Sequence, residues 1–149
     1  MREIESFKNE YKENYIYLAI INSLKIISSL KNEELDRLMN KFICYFETLL
    51  LKSFNSGFEY AKIEEVQNQK IDKFLLRNLN IITNNEILNK EEFSTIRQLY
   101  RCMFDIALND ENSMIDYYKH KELMIKMDKQ LPLLFNSIVC AGFIWGYKK

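Results

Sequence analysis

The residues best suited to do chemistry in this chain are few: one histidine, His120, and three cysteines, Cys44, Cys102 and Cys140. A histidine can act as a base near neutral pH and a cysteine as a nucleophile, but each needs a partner to activate it. His120 lies in Tyr117-Tyr118-Lys119-His120-Lys121-Glu122, and no spacing links it to a Ser or Cys. A metal site needs several ligands at helical spacing. The Glu-x-x-His pair of di-iron bundles would require a carboxylate at position 117, which is Tyr. The adjacent carboxylates Glu33-Glu34, Glu64-Glu65 and Glu91-Glu92 point to different faces of a helix, so none forms an acid/base pair. These residues predict a chain without catalysis, metal or cofactor.

The cysteines are odd in number, far apart and each set among apolar neighbours. That pattern predicts reduced, buried thiols and a cytoplasmic setting, not a disulfide framework. The start, Met1-Arg2-Glu3-Ile4-Glu5, is charged and mixed, without the apolar run of a secretory leader.

Recognition is the chemistry that remains. Gly57-Phe58-Glu59-Tyr60-Ala61 and Gly142-Phe143-Ile144-Trp145-Gly146 share a pattern of two small residues four apart with aromatics between. Four residues is about one helical turn, so each pair clears one face for another helix to approach closely. The two patches are expected to meet each other or a partner helix, with Tyr60 and Trp145 packed around the contact. Tyr117 and Tyr118 join them as candidate contact residues, because Tyr brings large area at low conformational cost. Tyr11, Tyr15 and Tyr17 also fall at or beside stripe edges.

These side chains must be carried by helices. Only one Pro and three Gly punctuate 149 residues that are 48% hydrophobic, so the corners fall to Asn, Asp and Lys. The apolar spacing of three and four predicts six helices. The first spans about Glu3 to Leu30, carrying Ile4, Phe7, Tyr11, Tyr15 and Leu18 and then drifting to Ile16, Ile20, Leu24 and Ile27. The second starts at the cap Asn32 and reaches about Val66 through Leu35, Leu38, Phe42, Phe46, Leu49, Leu50, Phe54 and Phe58. A third covers Lys70 to Leu79, and the Asn-rich stretch Asn78 to Asn89 reads as a turn region. Asn89 with Glu92 three residues on resembles a capping box and opens the fourth. A fifth follows the break at Asn109–Asn112, and Pro132 sits at the first turn of a sixth. The expected fold is all-α: a single domain, 1–149, built as a bundle of about six mostly antiparallel helices.

The most apolar stretch runs from Leu131 to Tyr147, interrupted only by Asn136 and Ser137. It is at the lower length limit for a membrane span, and it reads as the buried central helix of the bundle. Charges balance at 21 basic and 21 acidic, with no basic block for a phosphate backbone. Neither nucleic acid nor membrane is an expected partner. A protein partner is, with a homodimer as one form of it. Richness in Ile, Lys and Asn fits an AT-rich genome, and with the small size it predicts an accessory protein of a phage or mobile element that inhibits a host defence complex. The alternatives are a helical subunit of a nucleoprotein assembly, a bundle sensing an apolar ligand, and a tail-anchored viral regulator.

Overall fold

The structure is a computed structural model that describes residues 11, 14–63 and 90–147. The described residues are all-helical, with no strand among them. Helix α1 is Tyr15–Ser28, α2 Glu33–Ala61, α3 Lys90–Leu108 and α4 Tyr117–Tyr147. The expected count of six is therefore not matched among the described residues. The third helix, the Asn-rich turn and the Asn89 cap fall outside those residues, as does most of the first helix before Asn14.

Two local signals explain the other differences. Asn14 has extended backbone, and its Oδ1 accepts hydrogen bonds from the Ile16 and Tyr17 amides. It caps α1 afresh, so the stripe carried forward from Tyr11 loses its phase. Ile20, Leu24 and Ile27 are buried, whereas Tyr15 and Leu18 are exposed. Pro132 lies inside α4 instead of starting a new helix. An interior Pro removes one backbone hydrogen bond and costs about 3 kcal/mol. Leu131, Leu134, Phe135 and Ile138 around it are all buried, and each stabilises the helix by about 1.5–3 kcal/mol. Packing outweighs the proline, and the fifth and sixth helices become one rod of 31 residues.

Helices α2 and α4 form the central pair. Phe46 meets Phe135, Phe54 meets Gly142, and Phe58 meets Gly146, in the same order along both helices. The two therefore run parallel, with α3 between them in the chain. Helix α3 runs antiparallel to α2, with Phe42 edge-on to Tyr100 and Lys52 paired with Glu92 at 2.6 Å. Helix α1 joins through Tyr17, stacked on Phe46 at 5.9 Å, and through Asn14, whose Nδ2 donates to the Ser137 hydroxyl. Phe46 thus touches α1, Phe42 and α4 at once. Helix α4 is buried along one side, not all round: Leu133 is exposed while Leu134, Val139 and Phe143 are buried. By length and composition alone α4 could cross a membrane; its buried side is occupied by the rest of the fold.

The parallel pair is possible because side chains are missing where the backbones touch. A Cβ on Gly57 would overlap the Val139 carbonyl and lie 2.9 Å from the Phe143 nitrogen. One on Gly142 would overlap the Phe54 carbonyl oxygen and lie 2.9 Å from its carbon. At Gly146 it would lie 2.7 Å from the Phe58 carbonyl oxygen. Ser53, fully buried with its hydroxyl donating to the Leu49 carbonyl, extends the small-residue stripe of Gly57 and Ala61 by one turn.

Alanine normally gains about 1 kcal/mol over glycine inside a helix. Here the gain is overridden, because the atoms that must yield are backbone atoms. Gly57→Ala and Gly142→Ala are expected to destabilise the fold by about 2–3 kcal/mol, and Gly146→Ala by less. Urea unfolding of the three variants measures the order.

Candidate functional site

The seam between α3 and α4 carries the densest polar chemistry among the described residues. Arg97, Arg101 and Asp105 are spaced four apart and share one face of α3. Across from them, Asp128 of α4 accepts from the Tyr100 hydroxyl and pairs with Arg97 at 3.2 Å and Arg101 at 3.0 Å. Burial opposes the charge on Asp128. The hydrogen bonds from Tyr100 and Arg101 and the charges of both arginines outweigh it, and its carboxyl is held below the ordinary value. The Tyr100 phenol is pushed well above its usual range, first by burial and then by the Asp128 hydrogen bond and charge. Further along, His120 Nε2 lies 2.7 Å from Asp105 Oδ1. The His120 side chain is therefore mostly covered and engaged. These groups satisfy one another, and the seam sets how α3 lies on α4.

Next to this seam, residues 109–116 turn the chain from α3 into α4. The turn is braced by its own polar groups. Asp110 Oδ1 accepts from the Asn112 amide, the Ser113 hydroxyl accepts from the Ile115 amide, and Asp116 caps α4 by accepting from the Lys119 amide. Ile115 is buried and pins the turn to the core. With the backbone fixed, three large side chains are left in solvent: Met114 is 92% exposed, Tyr117 67% and Tyr118 81%. The two tyrosine rings stand edge to face at 6.1 Å.

The eight candidate contact residues divide into two groups. Gly57, Ala61, Gly142 and Gly146 are buried against one another in the α2–α4 seam. Tyr60 and Trp145 are half-buried beside it, Tyr60 with its ring 6.0 Å from that of Phe143. Tyr117 and Tyr118 alone are free on the outside. Sequence reasoning missed Met114 beside them, because a Met in an apolar pattern reads as core. It also missed Leu18 and Ile26, which are exposed on α1 along with the stripe-edge Tyr15.

The cysteines correct a further expectation. Cys44 and Cys102 are exposed, and only Cys140 is half-buried, where burial pushes its thiol up. Cys44 lies midway between the inward positions Phe42 and Phe46, on the opposite side of the helix. Cys44 and Cys102 are free thiols. Among the described residues no cluster of three or more His, Cys, Asp or Glu is placed to hold a metal ion. Comparison with protein families, curated proteins and solved structures gives no match.

The lowered Asp128 carboxyl has a pH signature. Its stabilisation is fully present above the unfolded value, near 3.8, and is lost as pH falls through the lower folded value. Chemical-denaturation midpoints of the wild type are expected to fall steeply below about pH 4. Asp128→Asn, weaker at pH 7, should lose less over the same interval, and the two curves should converge in acid.

Proposed function

We propose that this chain is a non-catalytic helical protein-binding module that meets its partner through the α3–α4 turn. One observation carries the reading: Met114, Tyr117 and Tyr118 stand in solvent on a braced backbone. Exposing one large apolar side chain is ordinary, but three neighbouring ones on a fixed turn form a contact surface. Tyr and Met are enriched where proteins meet. Because the turn is already ordered, little conformational entropy remains to be lost on binding. The Asp105–His120 contact and the Arg97–Asp128–Arg101 cluster support the turn from behind.

Small size and an Ile-, Lys- and Asn-rich composition suit an accessory protein of a phage or mobile element, acting in the cytoplasm by occupying a host defence complex. Inhibition of that kind needs affinity and a rigid surface, without chemistry.

A photo-reactive residue at position 118 of the full chain, expressed in its host, is expected to give a discrete protein adduct. Adding Met114→Ser and Tyr117→Ser should remove that adduct, while thermal stability changes by no more than about 0.5 kcal/mol. Diffuse labelling, or an adduct indifferent to the two substitutions, would contradict the reading.

A further inference from the structure

Helix α4 carries an apolar seam along its outer face. Beyond Tyr118, Ile125 is 59% exposed and Leu133 53%. The three are seven and eight residues apart, close to two helical turns each, so they line up over about 22 Å of the helix. The opposite side, with Met124, Met127, Leu131 and Leu134, is packed into the fold. Apolar side chains at two-turn intervals are what one helix offers to another.

The charges around the seam are lopsided. Arg97, Arg101, Lys119, Lys121, Lys126 and Lys129 stand on or beside it, against Glu122 and Asp128. Both carboxylates are already engaged: Asp128 by Arg97 and Arg101, and Glu122 by Lys119 at 3.7 Å. Asp105, nearer the turn, faces His120. Lys121, Lys126 and Lys129 are exposed and have no ion-pair partner among the described residues. In a chain whose acidic and basic residues balance, this is a concentrated positive surface with an apolar centre.

We propose that this face of α4, between Tyr118 and Leu133, docks an acidic amphipathic helix of a partner protein. The proposal rests on reading the chain as a protein-binding module; it extends the contact from the turn along α4 and gives the partner's charge. The unpaired lysines call for carboxylates, and Ile125 and Leu133 call for an apolar stripe between them. A nucleic-acid backbone would satisfy the lysines but leave the two aliphatic side chains against phosphate. A lipid surface would want an unbroken apolar face. Here Lys129 divides Ile125 from Leu133, and Asp110, Glu111 and Asp116 at the turn would be repelled by anionic headgroups.

Fluorescence anisotropy with purified full-length protein tests this. The probe is a labelled synthetic helix with Leu along one face and Glu beside it; its control has Lys for every Glu. The Glu helix is expected to bind at least about tenfold more tightly than the control. Lys126→Glu with Lys129→Glu should remove that preference, while Lys126→Arg with Lys129→Arg should keep it. Both positions are exposed, so both variants are expected to retain the wild-type helical signal and melting temperature. Equal or absent binding of the two helices, or tighter binding of a DNA duplex or of vesicles of phosphatidylcholine and phosphatidylserine, would overturn the proposal. A photo-reactive residue at position 125, expressed in the host, is expected to label an acidic protein segment. It also separates this proposal from the reading of the turn. An adduct at 118 with none at 125 sinks the α4 face and keeps the turn; no adduct at either position sinks both.

Discussion

Helices α2 and α4 touch through their backbones, and the rest of the structure follows from that contact. Gly57, Gly142 and Gly146 have no room for even a methyl group, since the atoms facing them are carbonyls and a nitrogen of the opposite helix. Two parallel helices this close exclude side chains from the line of contact and drive the large ones to its flanks. Phe54, Phe143 and Phe135 are fully or almost fully buried there. Dispersion and burial over that length fix the register, and α1 and α3 then settle against the pair through Tyr17, Phe42 and Tyr100.

Such a contact also accounts for the two local conflicts in the chain. Pro132 would end an isolated helix, but α4 is held along its length by apolar burial, so one lost hydrogen bond is absorbed. Tyr100 carries a hydroxyl into the core beside α4, and Asp128 with its two arginines receives it at the edge of the seam. Packing supplies the stability, while the polar cluster fixes orientation. Among the described residues, large side chains on the outer face of α1 and at the turn before α4 stay exposed.

Much of this was legible in the residues. The stripe from Leu35 to Phe58 and its cap at Asn32 give α2 closely, because both signals are local. The spacing of Gly57 with Ala61 and of Gly142 with Gly146 marked a close helix contact, and the fold brings those two patches together. What could not be read depends on distant partners. Asn14 caps α1 but also bonds Ser137 far along the chain. The continuity of α4 through Pro132 depends on burial against the rest of the fold, and the parallel direction of α2 and α4 depends on how the intervening chain returns. The apolar character of its neighbours assigned Cys44 to the core, where helical phase places it outside.

Proton–proton Overhauser contacts in the full chain measure the central contact most directly. Cross-peaks from the Gly142 Hα protons to Phe54 Hα, and from the Gly57 Hα protons to the Phe143 amide, are expected. Their presence would place the two backbones face to face and parallel. Helical shifts over 54–61 and 139–146 without those cross-peaks would contradict the account.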